Sequence, residues 1–368
     1  MKNAVVRLTF ALLFLVAAGR LWCGRPAEAP AAEPAATVPA ASAAAPAVPS
    51  ITNSIGIKLV KIPAGEFMMG NLEPIDQLRK DYPLYNDKIP PEESRFDEIK
   101  DESPAHRVHI TKPFYMGACT VTLGQFRQFI DATHYATDAE RNDEISSPAG
   151  SSPRRSGAGG YGYNKETGKL DEERNPKFNW RDVGFPQTEN HPVTNVSWND
   201  AVKFCHWLSE KEQKTYRLPT EAEWEYCCRA GTKTRFWSGD DPESLVKIAN
   251  TYDKSTSRIQ PEWAKFALKG NDGFEFTAPV GSFPPNAFGL YDMHGNVWQW
   301  TSDFYAKDYY ANSPVDDPQG PATGGRHVRR GGGWATWSFY CRSSFRNFNT
   351  PQSRYYNLGF RVVMEDKN

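Results

Sequence analysis

The chain has 368 residues and a formal net charge of -1. A near-neutral balance excludes a dedicated nucleic-acid binder, which needs a basic face. Aromatic residues make up 13%, with 11 Trp, 16 Tyr and 21 Phe; that excludes a mainly disordered chain, and the length is enough for one large domain or two small ones.

Residues 1–19 read as a secretory signal. Lys2 and Arg7 give a positive start, and Leu8 to Ala18 is an apolar run too short to span a bilayer. The other reading is an uncleaved membrane anchor. Cys23 follows Leu21-Trp22 and so lacks the small residue that a lipid-attachment box wants. Residues 20–54 read as an Ala/Pro-rich linker, semi-rigid and without a core of its own. The expected location is therefore periplasmic or extracellular, with a membrane tether only through that N-terminus. The six cysteines, at 23, 119, 205, 227, 228 and 341, contain no CxxC pair and no zinc spacing.

The folded region is expected from about Ile55. Lys58 to Met69 has strand-turn-strand character around Pro63-Ala64-Gly65. Residues 71–104 are polar and read as a surface excursion. Arg107 to Met116 reads as a strand interrupted at Pro113. His106 and His109, three apart on an extended chain, fall on opposite faces and are not a metal pair. Three capping boxes then announce helices: Thr122 with Gln125, Ser197 with Asp200, and Thr220 with Glu223. Residues 144–190 read as an irregular insertion pinned to the core by Trp180 and Phe185. After residue 231 helical signals fade, and short aromatic strands and turns run to the end.

Eight motifs stand in one order along this pattern: PAGEFMMG at 63–70, SPAHRVHI at 103–110, MGACTVTLGQFRQFI at 116–130, HPVTNVSWNDAVKFCHWL at 191–208, RLPTEAEWEYCCRAG at 217–231, FPPNAFGLYDMHGNVWQWTSDFY at 283–305, RRGGGW at 329–334 and NLGFRVV at 357–363. Together they resemble the formylglycine-generating enzymes, the sulfatase-modifying factor family. The resemblance covers 55–365 and implies one large α+β domain, a variant of the C-type-lectin-like fold with little regular secondary structure.

The resemblance also implies site residues. The family's oxidases hold copper(I) between two cysteines; here those positions are Thr336 and Cys341, and a Ser-like position three residues before Thr336 is Gly333. A soft two-thiolate copper site needs both cysteines, so copper is not expected. Two calcium sites are implied: one from Asn250 and Asp272 with the carbonyls of Thr251 and Phe274, the other from Asp292 and Gln299 with the carbonyls of Gly295 and Val297. In vertebrate relatives the residues matching Cys205 and Cys228 bond to cysteines whose positions here are Val362 and Arg346. The two cysteines then pair elsewhere, with each other included, or stay free and buried. Trp334, Trp337, Phe339, Tyr340, Arg342 and Arg346 fall where the oxidases bind substrate, and they make a candidate ligand surface; the bland reading places the rings in the core.

Two functions follow. One is an exported, calcium-stabilised binding or accessory module that recognises a peptide, protein or glycan. The other is a formylglycine-generating oxidase that matures a sulfatase, or a related oxidase that uses the same cleft with Cys341. A variable ligand-binding protein of the lectin-fold type is a third, weaker reading.

Overall fold

The computed structural model describes residues 48–86, 88–89, 93–94, 96, 99–141 and 158–366. The signal reading of 1–19, Cys23, most of the linker and residues 144–157 of the insertion lie outside the described residues. Two sheets form the frame. The first has five strands, in the order Ser50–Thr52, Lys58–Ile62, Phe114–Gly117, Val363–Glu365 and Tyr216–Arg217, all antiparallel. The second has four, in the order Asn347–Asn349, His327–Arg330, Trp298–Phe304 and Leu358–Phe360, the last pair parallel. The chain ends are thus woven together, since Val363–Glu365 lies between two strands from far upstream. The Gly65–Met69 strand pairs with His106–Ile110. Pro113 separates that strand from Phe114–Gly117, and the two halves join different sheets.

Among the described residues four helices of at least seven residues pack on this frame: α1, Ile75–Asp81; α2, Leu123–Thr133; α3, Trp198–Glu212; and α4, Glu221–Arg229. The last three start at the predicted capping boxes, each with both reciprocal hydrogen bonds made. Each ends on a residue with positive φ: His134, Gln213 and Ala230. The apolar stripes of α2 and α3 meet through Phe126, Phe129 and Phe204, whose rings lie 5.4 to 5.9 Å apart. By contrast α4 is buried along its whole length, its Glu and Arg residues included.

The structure corrects one boundary and one burial reading, and it adds a hairpin to the insertion. Folding starts before Ile55, because Ser50–Thr52 is already an edge strand against Lys58–Ile62. The 71–104 stretch is no surface excursion among its described residues: Leu78, Tyr82, Tyr85, Phe96 and Ile99 are buried, and so are Asp101 and Glu102. Composition misled here, because Glu73, Asp81 and Glu102 pair with buried arginines. The described part of the 144–190 insertion holds a small hairpin, Tyr163–Asn164 with Lys169–Leu170, and buries Trp180 and Phe185 as expected.

Helix α4 carries much of the site, so its start matters. Replacing Thr220 with Ala removes the hydroxyl that accepts from the Glu223 amide and is expected to cost about 1 kcal/mol. Urea denaturation of the variant checks this: a lower midpoint at unchanged slope is the expected result.

A candidate site at the Gly331–Arg346 turn

The strand His327–Arg330 runs into Gly331 and Gly332, both at positive φ. A Cβ on Gly332 would collide with the sulfur of Cys341, so glycine there is what lets the turn fold back on itself. The chain then closes through the Thr336 amide, which donates to the Gly333 carbonyl at 2.8 Å, and through a short 3-10 turn at Ser338–Cys341.

Thr336 is buried, and its hydroxyl accepts from the indole N–H of Trp298 at 3.1 Å. Its carbonyl takes the Tyr252 amide at 3.1 Å and the Cys341 thiol at 3.7 Å. Cys341 has no exposed surface and packs among Phe236, Leu245, Ile248, Ala249 and Leu268. Burial pushes its thiol well above the ordinary range, so it stays protonated and weakly nucleophilic at neutral pH.

Behind the turn lies His294. Its Nδ1 sits 2.8 Å from the Cys341 carbonyl and its Nε2 accepts from the Trp237 amide at 3.1 Å. That pair of bonds fixes the neutral tautomer with the proton on Nδ1. Burial lowers this imidazole to about 4, in line with that assignment. The Cys228 sulfur is 3.8 Å from both ring nitrogens and 3.7 Å from the Ser343 hydroxyl. Cys119, Cys205, Cys227, Cys228 and Cys341 are all free thiols, so the open disulfide question resolves toward buried free cysteines for Cys205 and Cys228.

A buried charge network holds the turn. Arg342 makes a bidentate pair with Glu102 at 2.8 and 2.9 Å. Arg346 does the same with Glu221 at 2.8 and 2.9 Å. Arg330 bonds to Glu221 and Glu225 and to the carbonyls of Ser343 and Ser344. Arg229 completes the set on Glu225. Burial alone would raise Glu221, but Arg346 and Arg330 outweigh it and hold the carboxyl below its usual range.

These contacts overturn the expected ligand surface. Trp334, Phe339, Arg342 and Arg346 are buried, Trp337 is 9% exposed, and only Tyr340 is partly open. The arginines point inward because each has a buried carboxylate to meet. The rings point inward because Tyr82, Tyr85, Phe96 and Phe266 cover them: Tyr85 lies 4.9 Å from Phe339 and 5.7 Å from Trp337, and Phe266 stacks on Trp337 at 3.9 Å. Two clefts of about 320 Å³ are open nearby, one whose lining includes Tyr85, Phe266 and Ser338 and one whose lining includes Tyr161, Trp263, Tyr355 and Tyr356.

The two implied calcium sets differ in how they fit a cation. In the first, Asn250 Oδ1 is buried with no hydrogen-bond partner, and so is the Thr251 hydroxyl. Asp272 accepts from the amides of Thr251 and Phe274. Burial, together with neighbouring Asp253, raises Asp272 to about 7. Unsatisfied oxygen and crowded carboxylates suit a hard cation, and Asp253 is a further carboxylate there that sequence reasoning missed. In the second set, Asp292 Oδ1 also lacks a partner, but Gln299 is spent. Its oxygen accepts from Trp224 and Arg361, both at 2.7 Å, and its amide donates to the Asp292 carbonyl. The Arg361 guanidinium already bonds to the carbonyls of Tyr291 and Asp292, so in the set with Gly295 and Val297 the Gln299 side chain is engaged and Asp292 Oδ1 is left as the unpartnered side-chain oxygen. Copper fits no better: one of its two positions is a hydroxyl already bonded to Trp298, and the other is a single sealed thiol.

His294, Glu102, Tyr82, Tyr85 and Asp253 were given no such roles from sequence. His294 sits inside a quoted motif, but a lone histidine carries no signal. Glu102 lies in a stretch whose composition pointed to the surface.

One direct check follows from the burial of Cys341. Iodoacetamide at pH 8 is expected to leave Cys341 unlabelled in the native protein and to alkylate it after denaturation, as read by peptide mass spectrometry. Rapid native labelling would contradict the sealed site.

Comparison with known proteins agrees with this architecture. A sequence model of the sulfatase-modifying factor enzyme 1-like domain matches residues 47–366. The formylglycine-generating enzyme of Mus musculus is 34% identical over 370 residues, 95% of this chain and 87% of that protein. The inactive C-alpha-formylglycine-generating enzyme 2 of the same organism is 29% identical, over 83% of this chain and 85% of that protein. The solved structure of PvdO from Pseudomonas aeruginosa superposes with a TM-score of 0.61 at 30% identity, covering 86% of this chain and 98% of that one. The fold is the single-domain α+β architecture of these proteins, the C-type-lectin-like variant, and the chain belongs to the sulfatase-modifying factor family.

Proposed function

We propose that this chain is an exported binding or accessory member of its family rather than a two-thiol copper oxidase. The observation that carries the reading is the state of the turn. Thr336 stands where the resemblance puts the first copper cysteine, and its hydroxyl is committed to Trp298 at 3.1 Å. Cys341 is buried and protonated, and among the described residues it is Thr336, not a cysteine, that faces its sulfur. Likeness to an inactive paralogue supports the same direction. The ligand is a peptide, protein or glycan, reached through a cleft beside the turn. The second reading keeps an oxidase that acts on a sulfatase or uses the cleft for a related oxidation; the identity to the mouse formylglycine-generating enzyme favours it.

The test is incubation of the full chain with copper(I), oxygen and a CxPxR peptide, followed by mass spectrometry. The proposal expects no formylglycine. It also expects Thr336→Cys to gain copper(I) binding, because the backbone of the turn already brings positions 336 and 341 together. Conversion by the wild-type protein would overturn the proposal.

Calcium belongs to the proposal at the first set only, where Asn250 and Asp272 with the carbonyls of Thr251 and Phe274 would hold it and tie the 250–276 loops. Calcium at a hundredfold excess over its Kd is expected to stabilise the fold by about 2.7 kcal/mol. Thermal melts with calcium and with chelator check this: Asn250→Ala is expected to remove the calcium response, and Gln299→Ala is expected to leave it in place.

A further inference from the structure

The 250–274 segment holds two carboxylates side by side. Asp253 has no exposed surface, and its Oδ2 accepts the backbone amide of Asp272 at 2.5 Å. Its Oδ1 accepts from the Ser255 amide at 2.7 Å, the Ser255 hydroxyl at 2.6 Å and the Thr256 amide at 3.3 Å. Among the described residues neither carboxylate forms an ion pair with a lysine, arginine or histidine; Arg258, at the end of the 3-10 turn that begins at Thr256, pairs with Glu275 at the surface. The buried carboxylates of Glu102, Glu221 and Glu225 each meet a buried arginine. A buried charge left unpaired is costly, so the Asp253–Asp272 pair calls for a cation that the chain does not supply.

Two neighbouring oxygens point the same way independently of the acids. Asn250 Oδ1 and the Thr251 hydroxyl are fully buried and lack a hydrogen-bond partner. Asp253 does not face a cation itself, because both of its oxygens are taken by N–H and O–H donors. What it touches are ligands of the first calcium set. It holds the amide of Asp272, whose own oxygens accept from the amides of Thr251 and Phe274 at 3.0 and 2.9 Å. Through Ser255 it reaches another member, since that hydroxyl lies 3.0 Å from the Phe274 carbonyl. A carbonyl has two lone pairs, so this contact leaves one free. Capping of the 3-10 turn does not account for the charge, because asparagine caps as well as aspartate.

We propose that Asp253 is the positioning residue of this calcium set. It fixes Asp272 and the Phe274 carbonyl, and it doubles the negative charge beside the set, a match for a divalent cation. The four implied ligands contain one carboxylate; Asp253 supplies the second from outside that set. The inference rests on the reading that the first set holds calcium, and it names what fixes the affinity there and the preference for ion charge.

The test titrates the full chain, freed of metal with chelator, with calcium and with terbium(III) by calorimetry. Asp253→Asn is expected to weaken calcium about tenfold or more, the range for residues that orient metal ligands. Terbium is expected to weaken by a larger factor, because a lost unit charge acts in proportion to the charge of the ion. In an Asn250→Ala background the same change is expected to add no calcium effect; a further loss there would place its action elsewhere and overturn the proposal. Unchanged calcium affinity in folded Asp253→Asn, or equal losses for the two ions, would reduce Asp253 to a cap of the turn and overturn it too. If Asp253→Asn does not fold, Ser255→Ala and Asp253→Glu decide the matter. Each keeps both charges, so each is expected to weaken calcium and terbium by one common factor, and unchanged affinity in both would overturn the proposal. An absence of calcium binding by the wild-type chain would bring down the calcium reading and this inference together, whereas binding that ignores Asp253 would bring down this inference alone.

Discussion

The structure depends on a set of buried arginine–carboxylate pairs. Glu102 comes from an irregular stretch before the second strand pair, Glu221 and Glu225 from α4, and Arg330, Arg342 and Arg346 from the C-terminal third. Regular secondary structure is sparse around the turn, so few backbone ladders hold it. The ion pairs do that work by fixing three remote segments against one another. Buried pairs of this kind add little net stability over an apolar core, yet breaking one leaves an uncompensated charge and costs about 3–5 kcal/mol. They therefore specify the arrangement more than they strengthen it.

That network explains why the turn reads as a site and is sealed at the same time. Arg342 and Arg346, which sequence places on a recognition surface, are drawn inward by Glu102 and Glu221. Cys341 follows them into an apolar pocket, with His294 fixed as a neutral donor to its carbonyl. A thiol in that setting is a packing group. The neighbouring face keeps an open cleft, lined by aromatic side chains that include Tyr161, Trp263, Tyr355 and Tyr356.

Much of the fold was legible in the sequence because its signals are local. The capping boxes at Thr122, Ser197 and Thr220 each depend on residues three apart, and all three helices start there. The break at Pro113 and the pinning of the insertion by Trp180 and Phe185 were readable for the same reason. The 71–104 stretch was not, because the burial of Asp101 and Glu102 is decided by arginines some 240 residues away. The ligand surface failed likewise: strand alternation does not reach into the 3-10 turn at Ser338–Cys341, and nothing in the local pattern shows that Tyr82 and Tyr85 cover it. In the second calcium set the donor types matched, but the commitment of Gln299 to Trp224 and Arg361 is a tertiary fact.

The central claim is that the turn is built without a two-thiol copper centre. Competition for copper(I) against a chromophoric chelator, with X-ray absorption on any complex formed, tests it most directly. The account predicts no tight site in the wild-type domain and no two-sulfur coordination. One tightly bound copper per chain with two sulfur ligands would contradict it and would mean that a second thiol joins Cys341.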